Sequence, residues 1–157
     1  MQAQVRKIVG LIVESGLALP NELLGCSDKE ISEIEAAVFP PLPLAYKWFL
    51  KTMGKGAGEF LVGEDVFYPK MLGLKSAAME LMQSLGRKWN LPDKAIVFLG
   101  HQGYQFLFFE RDTDDPEVSL LLDSEPEARK VFDSFSEWLY QCVNDEAAIL
   151  KRIRGGC

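Results

Sequence analysis

Residues 97–112 read VFLGHQGYQFLFFERD: two apolar runs, Val97 to Leu99 and Tyr104 to Phe109, joined by Gly100-His101-Gln102-Gly103, which holds the chain's one histidine. Aromatic and β-branched runs on either side of a short glycine-bearing connection predict a β-hairpin. In the second run Phe106 and Phe108 alternate with the equally apolar Leu107 and Phe109. Such a strand suits burial on both faces or an interaction surface, and core is the simpler reading. Working outward, Ala95 to Leu99, Tyr104 to Glu110 and Val118 to Leu122 are three strand candidates, the last reached through a turn containing Asp114-Asp115-Pro116. Together they predict an antiparallel meander.

Helical spacing surrounds this sheet. Val5, Ile8, Val9 and Ile12 fall on one face, with Gly16 placed to stop the helix. Ser27-Asp28-Lys29-Glu30 offers a capping box ahead of Ile31, Ile34 and Val38; Pro40 and Pro41 end that helix. Pro43 begins a third helix, with Tyr46, Phe49, Leu50 and Met53 on one face. Phe60-Leu61-Val62 and Val66-Phe67-Tyr68 read as short strands between glycines. A fourth helix carries Ala78, Leu81, Met82, Leu85 and Trp89, and a last one opens on Ser134-Phe135-Ser136-Glu137, a second capping box, and ends on Lys151, Arg152 and Arg154. Helices, then strands, then a returning helix predict a single α+β domain over residues 1–157. It has a mostly antiparallel sheet with N-terminal helices, a middle helix and a C-terminal helix packed on it.

A chain of 157 residues with 48% hydrophobic and 25% charged residues suits one folded, soluble domain. No apolar run reaches bilayer length, and the three cysteines, Cys26, Cys142 and Cys157, are odd in number and widely spaced. Reduced thiols in a cytoplasmic protein are the expectation. Net charge is −6, and its placement is uneven. Glu110, Asp112, Asp114, Asp115, Glu117, Asp123, Glu125 and Glu127 stand against Arg111 alone, a net of −7, while the remainder holds 15 acids and 16 bases. Direct nucleic-acid binding calls for the opposite sign and is disfavoured.

Catalytic and metal readings find little support. His101 has no partner pattern for a triad and reads as a polar hairpin-loop residue. One histidine and three scattered cysteines show no paired zinc ligands. Asp112 to Glu117 fails as a calcium loop, since Pro116 and Glu117 stand where an oxygen ligand and a glycine belong. Gly54-Lys55-Gly56-Ala57-Gly58 lacks the Gly-Lys-Ser/Thr ending of a phosphate loop. Cys142 reads as core, and Cys26 precedes a helix start that could lower its pKa but has no evident basic partner, so a reactive role is disfavoured. Carboxylate pairs such as Glu64 with Asp65 could serve a glycosidase only at a separation sequence does not reveal. No catalytic residue, metal or cofactor is assigned.

Four landmarks in order carry a resemblance. They are Leu24-Gly25 leading into Ser27, Glu30, Ile31, Ile34 and Glu35; Leu42-Pro43-Leu44-Ala45-Tyr46-Lys47-Trp48-Phe49-Leu50, followed by Gly54; Ala95 to Gly100 with Gly103, Tyr104 and Phe106; and the Val118 strand with Asp133 to Leu139. From about Leu23 to Leu139 the chain resembles the SUKH superfamily, which includes the yeast Smi/Knr cell-wall regulators and many bacterial immunity proteins. Met53 before Gly54, where the family often has a polar residue, and a less glycine-rich hairpin loop are departures. The resemblance implies a non-enzymatic binding domain, most often one that neutralises a polymorphic toxin, frequently a nuclease. A basic secreted toxin domain would be the partner, with no membrane involved. The eight acids from Glu110 to Glu127 are then the candidate partner-binding residues, with Asp112, Asp114, Asp115 and Glu117 expected to be the most exposed. A regulatory scaffold binding endogenous proteins, as in the yeast branch, and a carboxylate-based hydrolase are the alternatives.

Overall fold

The computed structural model describes residues 2–38, 41–110 and 112–155. Pro40, Arg111 and Cys157, used in the readings above, lie outside the described residues. The first periodic stretch forms α1 (Gln2–Glu14), with Val5, Ile8 and Ile12 buried, and Gly16 at φ +81° turns the chain away. A two-residue strand, β1 (Leu23–Leu24), leads to α2 (Asp28–Val38). The predicted capping box is present: Ser27 Oγ accepts from the Glu30 N–H at 3.2 Å, and Glu30 Oε1 accepts from the Ser27 N–H at 3.0 Å. Pro43 sits at the N-cap of α3 (Leu44–Met53), one position before the first turn, and Ala45, Tyr46, Phe49, Leu50 and Met53 are buried.

The strands expected at Phe60 to Val62 and Val66 to Tyr68 are absent. Gly58, Leu61 and Gly63 have φ of +60°, +59° and +90°, so the backbone coils there and buries Phe60, Leu61 and Val66 one at a time. Among the described residues the stretch forms one isolated β-bridge, at Asp65, whose N–H and carbonyl exchange 2.9 Å hydrogen bonds with Gly100. The glycines instead serve β2 (Gly56–Ala57), antiparallel to β1. The fourth helix, α4 (Leu74–Ser84), is shorter than its apolar stripe. Gly86 at φ +66° follows it, and Trp89 lies beyond it against Phe108, with ring centroids 6.0 Å apart.

The meander is as predicted, with a fourth strand: β3 (Ala95–His101), β4 (Gln105–Glu110), β5 (Val118–Leu122) and β6 (Arg129–Phe132) pair in chain order. Exposed charges at Arg129 and Lys130 left β6 without a strand-like apolar run. Both faces of β4 are covered. Phe109 meets Tyr46 of α3 at 5.2 Å and Phe135 of α5 (Phe135–Gly155) at 5.7 Å, whereas Phe108 faces Trp89. A register shift between Val97 and Leu99 surrounds Phe98, which packs on Trp138 at 4.8 Å. Helices α3 and α5 therefore cover one face and α4 the other: an α+β domain. The Tyr46 hydroxyl, inside this aromatic cluster, is buried without a hydrogen-bond partner among the described residues. Helix α1 packs along α5, and Lys7 Nζ lies 5.4 Å from the centre of the Tyr140 ring.

Candidate partner-binding site

The turn between β4 and β5 is rich in acids and crosses the N-termini of two helices. The Ala45 N–H, at the start of α3, donates to the Asp114 carbonyl at 2.9 Å. The Ser136 N–H, at the start of α5, donates to Asp115 Oδ1 at 2.9 Å, and the Ser136 hydroxyl donates to the other oxygen of the same carboxylate. Helix N-termini present unsatisfied donors and positive partial charge, so they are natural seats for such a turn. Asp115 is consequently half-buried and structural, contrary to the expectation that it is among the most exposed acids. Asp112, Asp114 and Glu117 are exposed, as expected.

Beside the turn lies an open cleft of about 420 Å³, floored by Phe108, Pro116 and Ser119 and rimmed by Glu110, Asp112, Glu117 and Asp133. Asp133 falls outside the acid-rich stretch of sequence and joins it only through the fold. Lys130 holds it at 2.8 Å and Glu117 at 3.2 Å; the pairing keeps the Asp133 carboxyl below its ordinary range and raises the Lys130 ammonium. Lys94 approaches Asp112 at 3.5 Å. A second hollow on the far side of the turn is lined by Pro41, Leu42, Pro43 and Asp112 to Asp114.

The eight acids do not form one face. The chain runs the length of β5 between Glu117 and Asp123, about 17 Å for five residues, so Asp123, Glu125 and Glu127 sit at the other end of the sheet. There the Asp123 N–H donates to the Tyr104 carbonyl beside the hairpin, and Glu125 is held by Arg129 at 3.1 Å. Sequence adjacency grouped what an intervening strand separates.

His101 is not a free loop residue. It ends β3, is half-buried, and its Nδ1 lies 2.9 and 3.0 Å from the two oxygens of Glu64. Cys142 lines a depression together with His101 and Glu64, but burial pushes its thiol up to about 12, away from the thiolate a nucleophile requires. Cys26 is likewise raised to about 11 by burial and by Glu30, opposite to the lowering a helix start would cause. Among the described residues no group of three or more His, Cys, Asp or Glu is placed to hold a metal ion. Nor is any helix of the described residues long and apolar enough to cross a membrane.

A profile of the SMI1 / KNR4 family (SUKH-1) matches residues 25–141. The chain belongs to the SMI1 / KNR4 family (SUKH-1). No curated protein matches its sequence. The matched region begins at Gly25, spans the aromatic cluster and the whole meander, and stops one-third of the way along α5. Within it the landmark residues are packing devices: Gly25 and Gly54 allow chain crossings too close for a Cβ, and Tyr46 and Phe49 face Phe135. Helix α1 and the remainder of α5 lie outside the match and pack on each other.

Proposed function

We propose that this family member is a non-enzymatic protein-binding domain that acts in the cytoplasm as an immunity protein. It binds a basic toxin domain, of the nuclease type, through the acidic end of its sheet. The observation that carries this reading is the cleft beside the β4–β5 turn. Its rim carboxylates Glu110, Asp112 and Glu117 are exposed, its floor is closed by the buried Phe108 and Pro116, and the adjoining turn is held by Asp115. A nuclease presents positive charge to phosphates. An anionic partner occupying that surface blocks substrate directly and associates quickly through electrostatic steering. Binding domains of this family supply the class of activity, and the cleft supplies the sign of the partner's charge.

The test is tagged capture from the native organism at low and high salt, beside a variant carrying Glu110→Gln, Asp112→Asn, Asp114→Asn and Glu117→Gln. Asp115 is left intact because it holds the turn. The expected result is a basic toxin domain recovered by the parent protein, lost from the variant and from high salt, and inhibited by the parent in a nuclease assay. Recovery of one and the same set of endogenous proteins by both forms would sink the acidic-face reading and favour the regulatory scaffold.

A further inference from the structure

Beyond the family match, α5 exposes an apolar pair one turn apart. Ile149 and Ile153 are 52% and 68% exposed, and Val62, 71% exposed, stands across from them over a depression of about 210 Å³. A second depression, of about 270 Å³, is walled by Leu61, Leu99, Leu107 and Trp138. The two meet at Glu146, which lines both. This groove starts at the hairpin end of the sheet, opposite the Asp112 to Glu117 turn.

Three glutamates line it. Glu59 stands at one end, Glu64 at the other and Glu146 between them. His101 holds Glu64, and Arg154 reaches Glu59 at 3.8 Å. Among the described residues no lysine, arginine or histidine pairs with Glu146. Its Oε2 accepts one hydrogen bond, from the Leu61 N–H at 3.0 Å. Burial and the nearby Glu64 push its carboxyl up, the mark of a carboxylate short of stabilising partners.

We propose that this groove docks an apolar segment of a partner protein that carries a lysine or arginine at its middle, the cation seating on Glu146. Exposed Val62, Ile149 and Ile153 supply the apolar contact, and the half-buried carboxylate has acceptor capacity left for one cationic donor. Glu146, the one of the three without a basic partner among the described residues, repels an acidic segment, which makes the site selective by repulsion as well as attraction. From Trp138 to Ile153 the helix rises about 22 Å, room for about four turns of a helix. The site is independent of the acidic cleft.

The test uses the full chain and a capped amphipathic helical peptide of about sixteen residues, with leucines on one face, serine and glutamine on the other, and one lysine midway along the leucines. Peptides with glutamine or glutamate in place of that lysine are the controls. The lysine peptide is expected to bind at least about tenfold tighter than the glutamate peptide, as for a partly desolvated charge pair. Glu146→Gln, which keeps an oxygen for the Leu61 N–H, should weaken the lysine peptide several-fold and leave the glutamine peptide unchanged. Ile149→Ser with Ile153→Ser, at exposed positions, should weaken both. The four-acid variant of the cleft should bind the lysine peptide like the parent, which separates failure here from failure of the immunity reading. Four results would overturn the proposal: no binding of the lysine peptide at millimolar concentration, equal affinity for lysine and glutamate peptides, indifference to Glu146→Gln, or self-association of the chain through Ile149 and Ile153.

Discussion

Gly25 is a residue whose role is read from what stands opposite it. A Cβ built there would lie 1.8 Å from the Lys51 carbonyl oxygen and 2.7 Å from its carbon, backbone atoms that no rotamer change can move aside. Gly10, inside α1, has nothing within 4 Å. Gly25→Ala is therefore expected to lower unfolding stability by about 3 kcal/mol, at the upper end for overpacking, while Gly10→Ala raises it by about 0.5–1 kcal/mol. Urea midpoints at unchanged slope would check both. Glu146 gives a prediction of another sort. Its pKa is raised in the fold, so the folded state holds that proton more tightly than the unfolded chain does. The charged form then costs stability above the raised pKa, and the cost vanishes as pH falls through the ordinary carboxylate value. Glu146→Gln should accordingly melt higher than the parent near pH 7, with the gap closing below about pH 4. A gap that widens on acidification would contradict the assigned burial of this carboxyl.

At the scale of elements, the N-terminus of α5 shows how local grammar and tertiary contact share one task. Ser134 Oγ accepts from the Glu137 N–H at 3.1 Å, as the sequence box predicts. The return contact differs: Glu137 accepts from the Asp133 N–H at 2.9 Å, one residue earlier than in a standard box. The remaining cap comes from Asp115, 21 residues away, on the Ser136 N–H and hydroxyl. Asp115→Ala should lower stability by about 1–3 kcal/mol, because a buried serine is left without its acceptor. Asp114→Ala, one position earlier, should change it by less than about 0.5 kcal/mol, since Asp114 contributes its carbonyl to Ala45 and leaves its side chain exposed. Thermal melts of the two variants would separate these outcomes. Helix α4 teaches the opposite lesson. Its apolar spacing continues to Trp89, but Gly86 breaks the helix and Trp89 packs on the sheet by another route.

Across the whole molecule, the meander with helices on both faces sends its connections alternately to two ends. One end receives the acidic turn and the helix N-termini that hold it. The other receives the hairpin, the His101–Glu64 pair and the entry to the groove along α5. Two candidate surfaces of different chemistry thus arise from one topology, and the peptide and capture measurements address them separately. Sequence alone determined the buried faces of α1, α2, α3 and α5, the capping box at Ser27, the first three strands of the meander and the stop at Gly16. Each depends on residues a few positions apart, whose spacing of 3.6 or 2 is written directly into the order of side chains. It also placed the acids, though not in space. Tertiary structure decided that Glu64 meets His101 across 37 residues, that Asp115 caps a distant helix, and that Glu146 closes on Leu61 across 85 residues. It also divided the acidic stretch between two ends of the sheet. Those contacts depend on which elements pack together and on where glycines let the backbone coil, and neither is encoded at short range.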